Sequence, residues 1–227
     1  MTTATPNTVG GKLEWSLVYS IVVAGKSAHF ADRAMARIDN EREGSESLFD
    51  CFHRIAAHGG LDALFRRART GNYGKMCRAI GHLLSLRLDL ATCSVEDLEA
   101  APGIGPKTSR FFLLWTRPGV EYAALDVHVL RWLRAEGYDA PKSTPTGKRY
   151  ATLERAFLRE ARQRGMTARE LDSQIWSAAR VRASPTGENT DAAPLFTQGA
   201  RDAEKPRDGT LPLFAAAAGA ETGEETK

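Results

Sequence analysis

Residues 95–133 read VEDLEAAPGIGPKTSRFFLLWTRPGVEYAALDVHVLRWL, and two short pieces of that stretch organise the rest. At Pro102-Gly103-Ile104-Gly105-Pro106 a helix is expected to stop, turn through a glycine hairpin and restart. Glycine takes positive φ without a Cβ clash, so Gly103 and Gly105 supply two such positions, with Ile104 between them as a core plug. Pro106 suits the first position of the following helix, where its missing N–H costs nothing. The amides of that helix start favour an anion, and glycine lets a phosphate come close to the backbone. Ser94 stands where its hydroxyl caps the preceding helix, Val95 to Ala101. The second piece is Leu125-Asp126-Val127-His128-Val129, nineteen residues past Lys107. Asp126 directly precedes an apolar-periodic run (Val127, Leu130, Leu133), the place of an N-cap.

Upstream the spacing is helical throughout. Leu13, Leu17, Ile21 and Ala24 recur at three- and four-residue intervals from Lys12, and Gly25 breaks the pattern. Further helices are expected over 28–38, 45–57, 61–70 and 72–86, separated by a polar linker, His58-Gly59-Gly60 and Gly71. Downstream, Gly137 ends one helix, a Pro-rich loop leads into 147–164, and Thr167-x-x-Glu170 is a capping box for 168–180. No run alternates long enough for a sheet. The chain is expected to be all-α, about ten helices, with a loose N-terminus over 1–11, a helical domain over 12–182 and a disordered acidic tail over 183–227.

Three cysteines without a C-x-x-C pair point to a reducing compartment. No apolar run reaches a membrane span, and the start has no signal-peptide pattern, so a cytoplasmic protein is expected. The formal charge of +3 hides an asymmetry. Residues 183–227 hold eight acidic and four basic side chains, a net of −4, which leaves +7 on the rest. A basic body suits a nucleic-acid partner, although ordinary solvated Lys and Arg account for such a charge equally well.

The run L-E-x-x-P-G-I-G-x-K-T, residues 98–108, resembles the helix-hairpin-helix motif, which grips duplex DNA through phosphates without reading sequence. Alone it favours a non-catalytic DNA-binding module, in which Lys107 contacts phosphate. With Leu125-Asp126-Val127-His128 added, residues 15–176 resemble the HhH-GPD superfamily of DNA glycosylases. The resemblance is strong over 98–133 and weak elsewhere. It implies two helical subdomains with the active site between them, the hairpin spanning about 95–116. Lys107 falls on the nucleophile position of the bifunctional members and Asp126 on that of the catalytic carboxylate. Gly103, Gly105, Lys107, Thr108 and Arg110 fall on the phosphate-binding hairpin, whose backbone over 102–105 can hold Na+ or K+. Some branches carry a four-iron cluster on cysteines after the catalytic helix. Here no cysteine follows Cys93, so no cofactor is expected, and the pattern is nearest the 8-oxoguanine branch.

The chemistry fits those positions. Excision develops positive charge on the sugar, and a carboxylate about 4 Å away contributes on the order of 4 kcal/mol at an effective dielectric of 20. That is roughly a thousandfold in rate. Lysine attacks C1′ only as the neutral amine, and the resulting Schiff base permits strand cleavage. Asp126 as N-cap and as catalytic group are compatible roles, since a cap holds the carboxylate rigidly. Where the family carries a space-filling Gln or Asn, this chain offers Lys26 or His29. Phe30, Tyr73, Asp172, Gln174 and Trp176 are candidates to line a pocket for an extruded base, with core packing or capping the commoner role for each. Arg66, Arg67, Lys75, Arg78 and Arg131 are candidate phosphate contacts. In the tail, residues 193–196 and 210–214 (A-P-L-F and T-L-P-L-F) resemble sliding-clamp docking segments without their leading glutamine. The expected partner is double-stranded DNA with a damaged base, bound by a monomer at the nucleoid. Competing expectations are a glycosylase-fold enzyme for another damaged or hypermodified base, and the non-catalytic module.

Overall fold

The computed structural model describes residues 9–183, and among these there are ten helices and no strand. They are α1 (Val9–Val22), α2 (Ala28–Asp39), α3 (Leu48–Ala56), α4 (Leu61–Ala68), α5 (Tyr73–Leu86), α6 (Val95–Glu99), α7 (Pro106–Thr116), α8 (Val127–Ala135), α9 (Gly147–Gln163) and α10 (Ala168–Ala183). The expectations for residues 1–8 and 184–227, including both clamp-like segments, lie outside the described residues. None of the described helices is long and apolar enough to cross a membrane.

The chain divides into two compact units, one up to Phe112 and one from Leu113, and the boundary falls inside α7. In the first unit α2 and α5 both pack on α4, while α3 packs on α1, α4 and α5. Leu17, Met35, Ile38, Leu64, Ile80 and Leu83 are buried there, and Phe52 meets Phe65 edge-on at 5.8 Å. In the second unit α10 packs on α8 and α9. Leu130, Leu133, Phe157 and Leu171 are buried, with Trp132 edge-on to Phe157 at 6.0 Å.

Helix starts follow the caps. Ser27 accepts from Phe30 N, and Ser47/Asp50 and Ser94/Asp97 form reciprocal capping boxes. The Ser94 amide, and then its hydroxyl, hold the Asp97 carboxyl below its ordinary range. Thr167 and Glu170 form the expected box: Thr167 N donates to Glu170 Oε2 at 2.7 Å and Glu170 N to Thr167 Oγ1 at 3.2 Å.

Several boundaries differ from the periodicity, among them α6, which ends at Glu99 rather than Ala101, and α10, which runs to Ala183 rather than 180. Helix α1 starts at Val9, not Lys12, through Gly10 and Gly11; Gly11 is buried, and packing there outweighs a propensity cost of about 1 kcal/mol per glycine. Helix α3 starts at Leu48, not Ser45, because Ser47 caps it. Helix α4 ends at Ala68, before Gly71, since Arg69 takes the left-handed conformation that closes it (φ 58°).

Candidate functional site

In the first unit the hairpin runs from α6 through residues 100–105 into α7. Gly103 has φ +103°, a conformation open to glycine alone at little cost. A Cβ there would lie 2.8 Å from Lys75 Cγ and 3.4 Å from the Lys75 carbonyl, so the start of α5 packs directly on the turn. Ile104 is 4% exposed, the plug its position implies. Gly105 differs from the expectation. Its φ is not in the left-handed region, and a Cβ would meet nothing within 4 Å. Its carbonyl accepts from Thr108 N (2.9 Å) and Ser109 N (3.1 Å), which makes it the start of α7, and glycine brings no side-chain oxygen to cap that start. Neither conformation nor internal packing demands glycine at 105.

Two hairpin residues behave otherwise than expected. Thr108 is 5% exposed, so its hydroxyl is not offered at the surface. Arg110 is held inward by a pair with Glu99 at 2.7 Å, and Ser109 Oγ donates to the same carboxylate oxygen at 2.8 Å. Glu99 thus braces α6 against α7, and Arg110 is part of that brace. Lys107 is half-buried, with its ammonium 4.8 Å from the centre of the Phe111 ring one turn on. The face of an aromatic ring attracts a cation, which is not the nucleophilic form of lysine.

The other candidates of this unit gather near the start of α5. Lys26, exposed, lies over the Phe30 ring at 5.4 Å with its ammonium 3.3 Å from where a Gly71 Cβ would be. His29 is exposed. Arg66 stacks on Tyr73 at 4.8 Å while pairing with Asp62, and Arg67 pairs with Glu41. Lys75 and Arg78 are exposed, the Lys75 stem laid against Gly103 and the Arg78 Nη1 3.5 Å from where a Gly74 Cβ would be. A recess of about 10 Å³ between Val22, Thr70, Gly71, Asn72 and Lys75 has room for one water, not a base.

In the second unit Asp126 caps α8, as its position implies. Its Oδ1 accepts from His128 N at 2.8 Å and from Val129 N at 2.9 Å. Oδ2 accepts no hydrogen bond among the described residues, and the side chain is held in a residue only 8% exposed. Val127 beside it is exposed, an unusual place for a valine. His128 packs on the Trp176 ring at 4.7 Å, and its buried Nδ1 has no partner among the described residues.

Of the three pocket candidates on α10, Asp172 is placed in the core. Asp172 is fully buried and accepts from Trp115 Nε1 at 3.3 Å, which makes it a core group. Trp176 is half-buried on His128, and Gln174 is exposed on another face, as a 3.6-residue period requires two positions along. Arg131 is exposed. No group of three or more His, Cys, Asp or Glu is placed to hold a metal among the described residues. The carbonyls of Pro102 and Gly103 accept no backbone hydrogen bond among the described residues.

Glu99, and the Lys75–Gly103 contact, were not readable from spacing, because each joins residues ten or more apart through tertiary packing. No family model matches the chain, and no solved structure matches it.

Proposed function

We propose that this chain is a DNA glycosylase with AP lyase activity, which removes a damaged base from duplex DNA. The hairpin would seat a phosphate at the start of α7, where Gly105 carries no Cβ and nothing internal explains its absence. Lys107 would attack C1′ and form a Schiff base, and Asp126 would stabilise the positive charge that develops on the sugar. A sodium or potassium ion on the Pro102 and Gly103 carbonyls would add positive charge near that phosphate.

The observation that carries the catalytic reading is the division of labour within one carboxylate. Asp126 spends Oδ1 on two amides of α8 and keeps Oδ2 without a protein donor. An ordinary N-cap needs only the first, which leaves the second open to a ligand at the start of α8. The 8-oxoguanine branch supplies the favoured substrate by resemblance; another damaged or hypermodified base remains the alternative within the same chemistry.

One contact favours a second reading. With its ammonium over Phe111, Lys107 serves as a cation for phosphate, and a water activated beside Asp126 would release the base without a Schiff base. Single-turnover excision on duplexes bearing 8-oxoguanine, uracil, 5-hydroxymethyluracil or an abasic site tests both. Asp126→Asn should bind the duplex normally and lose excision; full activity in that variant sinks the catalytic assignment. Excision with no borohydride-trapped adduct selects the second reading, and no excision on any duplex selects the binding module.

A further inference from the structure

Ala123, Ala124 and Leu125, in the second unit, are buried yet belong to no helix or strand. A buried segment without a ladder must find other partners for its amides and carbonyls, because each unmade bond costs the desolvation of the group. Leu125 N donates to Ala123 O at 3.1 Å and Asp126 N to Ala124 O at 2.7 Å, and three side chains add the remaining partners. Tyr150, 2% exposed on the first turn of α9, donates its hydroxyl to Ala123 O at 2.6 Å and accepts from Leu125 N at 3.3 Å. Glu154, one turn further along α9, accepts from Ala123 N at 3.0 Å. Thr144, in the loop before α9, donates to Leu125 O at 2.8 Å. The four-residue spacing sets Tyr150 and Glu154 on one face of the helix, so both reach the same strip of backbone.

The strip ends at Asp126. We propose that Tyr150, Glu154 and Thr144 form a clamp that aims the Asp126 carboxylate, with Tyr150 as its main positioning residue. The proposal rests on the assignment of Asp126 as the reacting carboxylate. The cap bonds tie the side chain to the first turn of α8, and the clamp ties the backbone just before it to α9. Asp126 is therefore held from both sides. A group that stabilises developing charge is effective when fixed beforehand, because none of the stabilisation is then lost in reorganisation. A misplacement of about 1 Å can cost on the order of a hundredfold in rate.

Tyr150→Phe keeps the ring and removes both clamp bonds. Residue-resolved hydrogen exchange reads the aim of Asp126 without reference to activity, through the His128 and Val129 amides it caps. Those amides should exchange about tenfold faster in the variant, the size expected for loss of one hydrogen bond. Single-turnover excision should slow by roughly ten- to a hundredfold, while affinity for a duplex with a tetrahydrofuran abasic analogue stays at the parent value. Glu154→Gln, which keeps an acceptor oxygen, should retain the parent rate where Glu154→Ala loses it. Parent-like exchange at His128 and Val129 in a folded Tyr150→Phe protein overturns the clamp. So does a parent rate in that variant when Asp126→Asn is inactive. Full activity in Asp126→Asn overturns the catalytic assignment instead, and the exchange result then still decides whether the clamp holds the carboxylate. Should Tyr150→Phe not fold, Thr144→Val at its exposed loop position takes its place with the same expectations.

Discussion

Two glycines only two positions apart, Gly103 and Gly105, differ sharply in what replacement by alanine should do. At Gly103 the φ of +103° lies beyond even the small left-handed well near +60°, and holding alanine there costs about 1–3 kcal/mol. The new methyl would stand 2.8 Å from Lys75 Cγ and 3.2 Å from Cε, against roughly 3.5–4.0 Å for a comfortable carbon contact. The lysine stem can swing aside, but the Lys75 carbonyl at 3.4 Å is backbone and yields little. Together these give a loss of about 2–4 kcal/mol, or a Tm lower by roughly 5–15 °C for a chain of this size. At Gly105 the methyl meets nothing within 4 Å and φ is permitted. There the small capping cost and the reduced unfolded-state entropy offset each other to within about 1 kcal/mol. If a phosphate lies against Gly105, however, the methyl displaces it, at about 1.5–3 kcal/mol of binding, ten- to a hundredfold in Kd. Thermal unfolding by far-UV circular dichroism and duplex binding by fluorescence anisotropy read the two effects separately. Equal Tm losses in both variants, or parent-like duplex affinity in a folded Gly105→Ala, would refute the reasoning.

Three further outcomes are expected. Glu99→Ala removes the acceptor shared by Ser109 and Arg110 and should cost about 1–2 kcal/mol in denaturant unfolding; a loss near zero means the brace is idle. Lys75→Ala should lower the dependence of log K on log salt by about 1 for any duplex sequence, and an unchanged slope removes Lys75 from the phosphate contacts. Hydrogen bonding from Arg54 holds the Glu46 carboxyl down to about 2 from an ordinary value of 4.5. A carboxyl depressed in the folded state stabilises above its unfolded value, and that contribution is lost as the pH falls from about 4.5 towards 2. Tm against pH should therefore be flatter across that window in Glu46→Gln; parallel curves contradict it.

The helices and most caps were legible because the signals are local. Ser94, Asp126 and Thr167 each stand within three residues of the amide they serve, and the apolar spacing marks α5 and α8 without help from the rest of the chain. Where side chains face is less local. Asp172 and Trp176 were candidates for a pocket with core packing the commoner role, and one is a buried partner of Trp115 while the other packs on His128. Arg110 was expected to meet phosphate and instead meets Glu99. A polar residue on a helix is open in sequence to solvent, ligand or internal partner, and only the packed neighbours decide. The clamp of Tyr150, Glu154 and Thr144 was invisible for the same reason: its bonds span nineteen to thirty-one residues. Its trace in the sequence is the short apolar run Ala123-Ala124-Leu125, too short for a strand and outside any helical period, whose buried backbone required partners from elsewhere.

The proposed chemistry turns on Lys107 forming a covalent bond with the sugar, whose developing charge Asp126 would stabilise. Borohydride reduction during reaction with an 8-oxoguanine duplex captures that bond as a stable protein–DNA adduct. The parent should give the adduct, Lys107→Ala should give none while still binding the duplex, and Asp126→Asn should give far less. An adduct of equal yield in Lys107→Ala, or none from the parent on any damaged or abasic duplex, would contradict the Schiff-base mechanism.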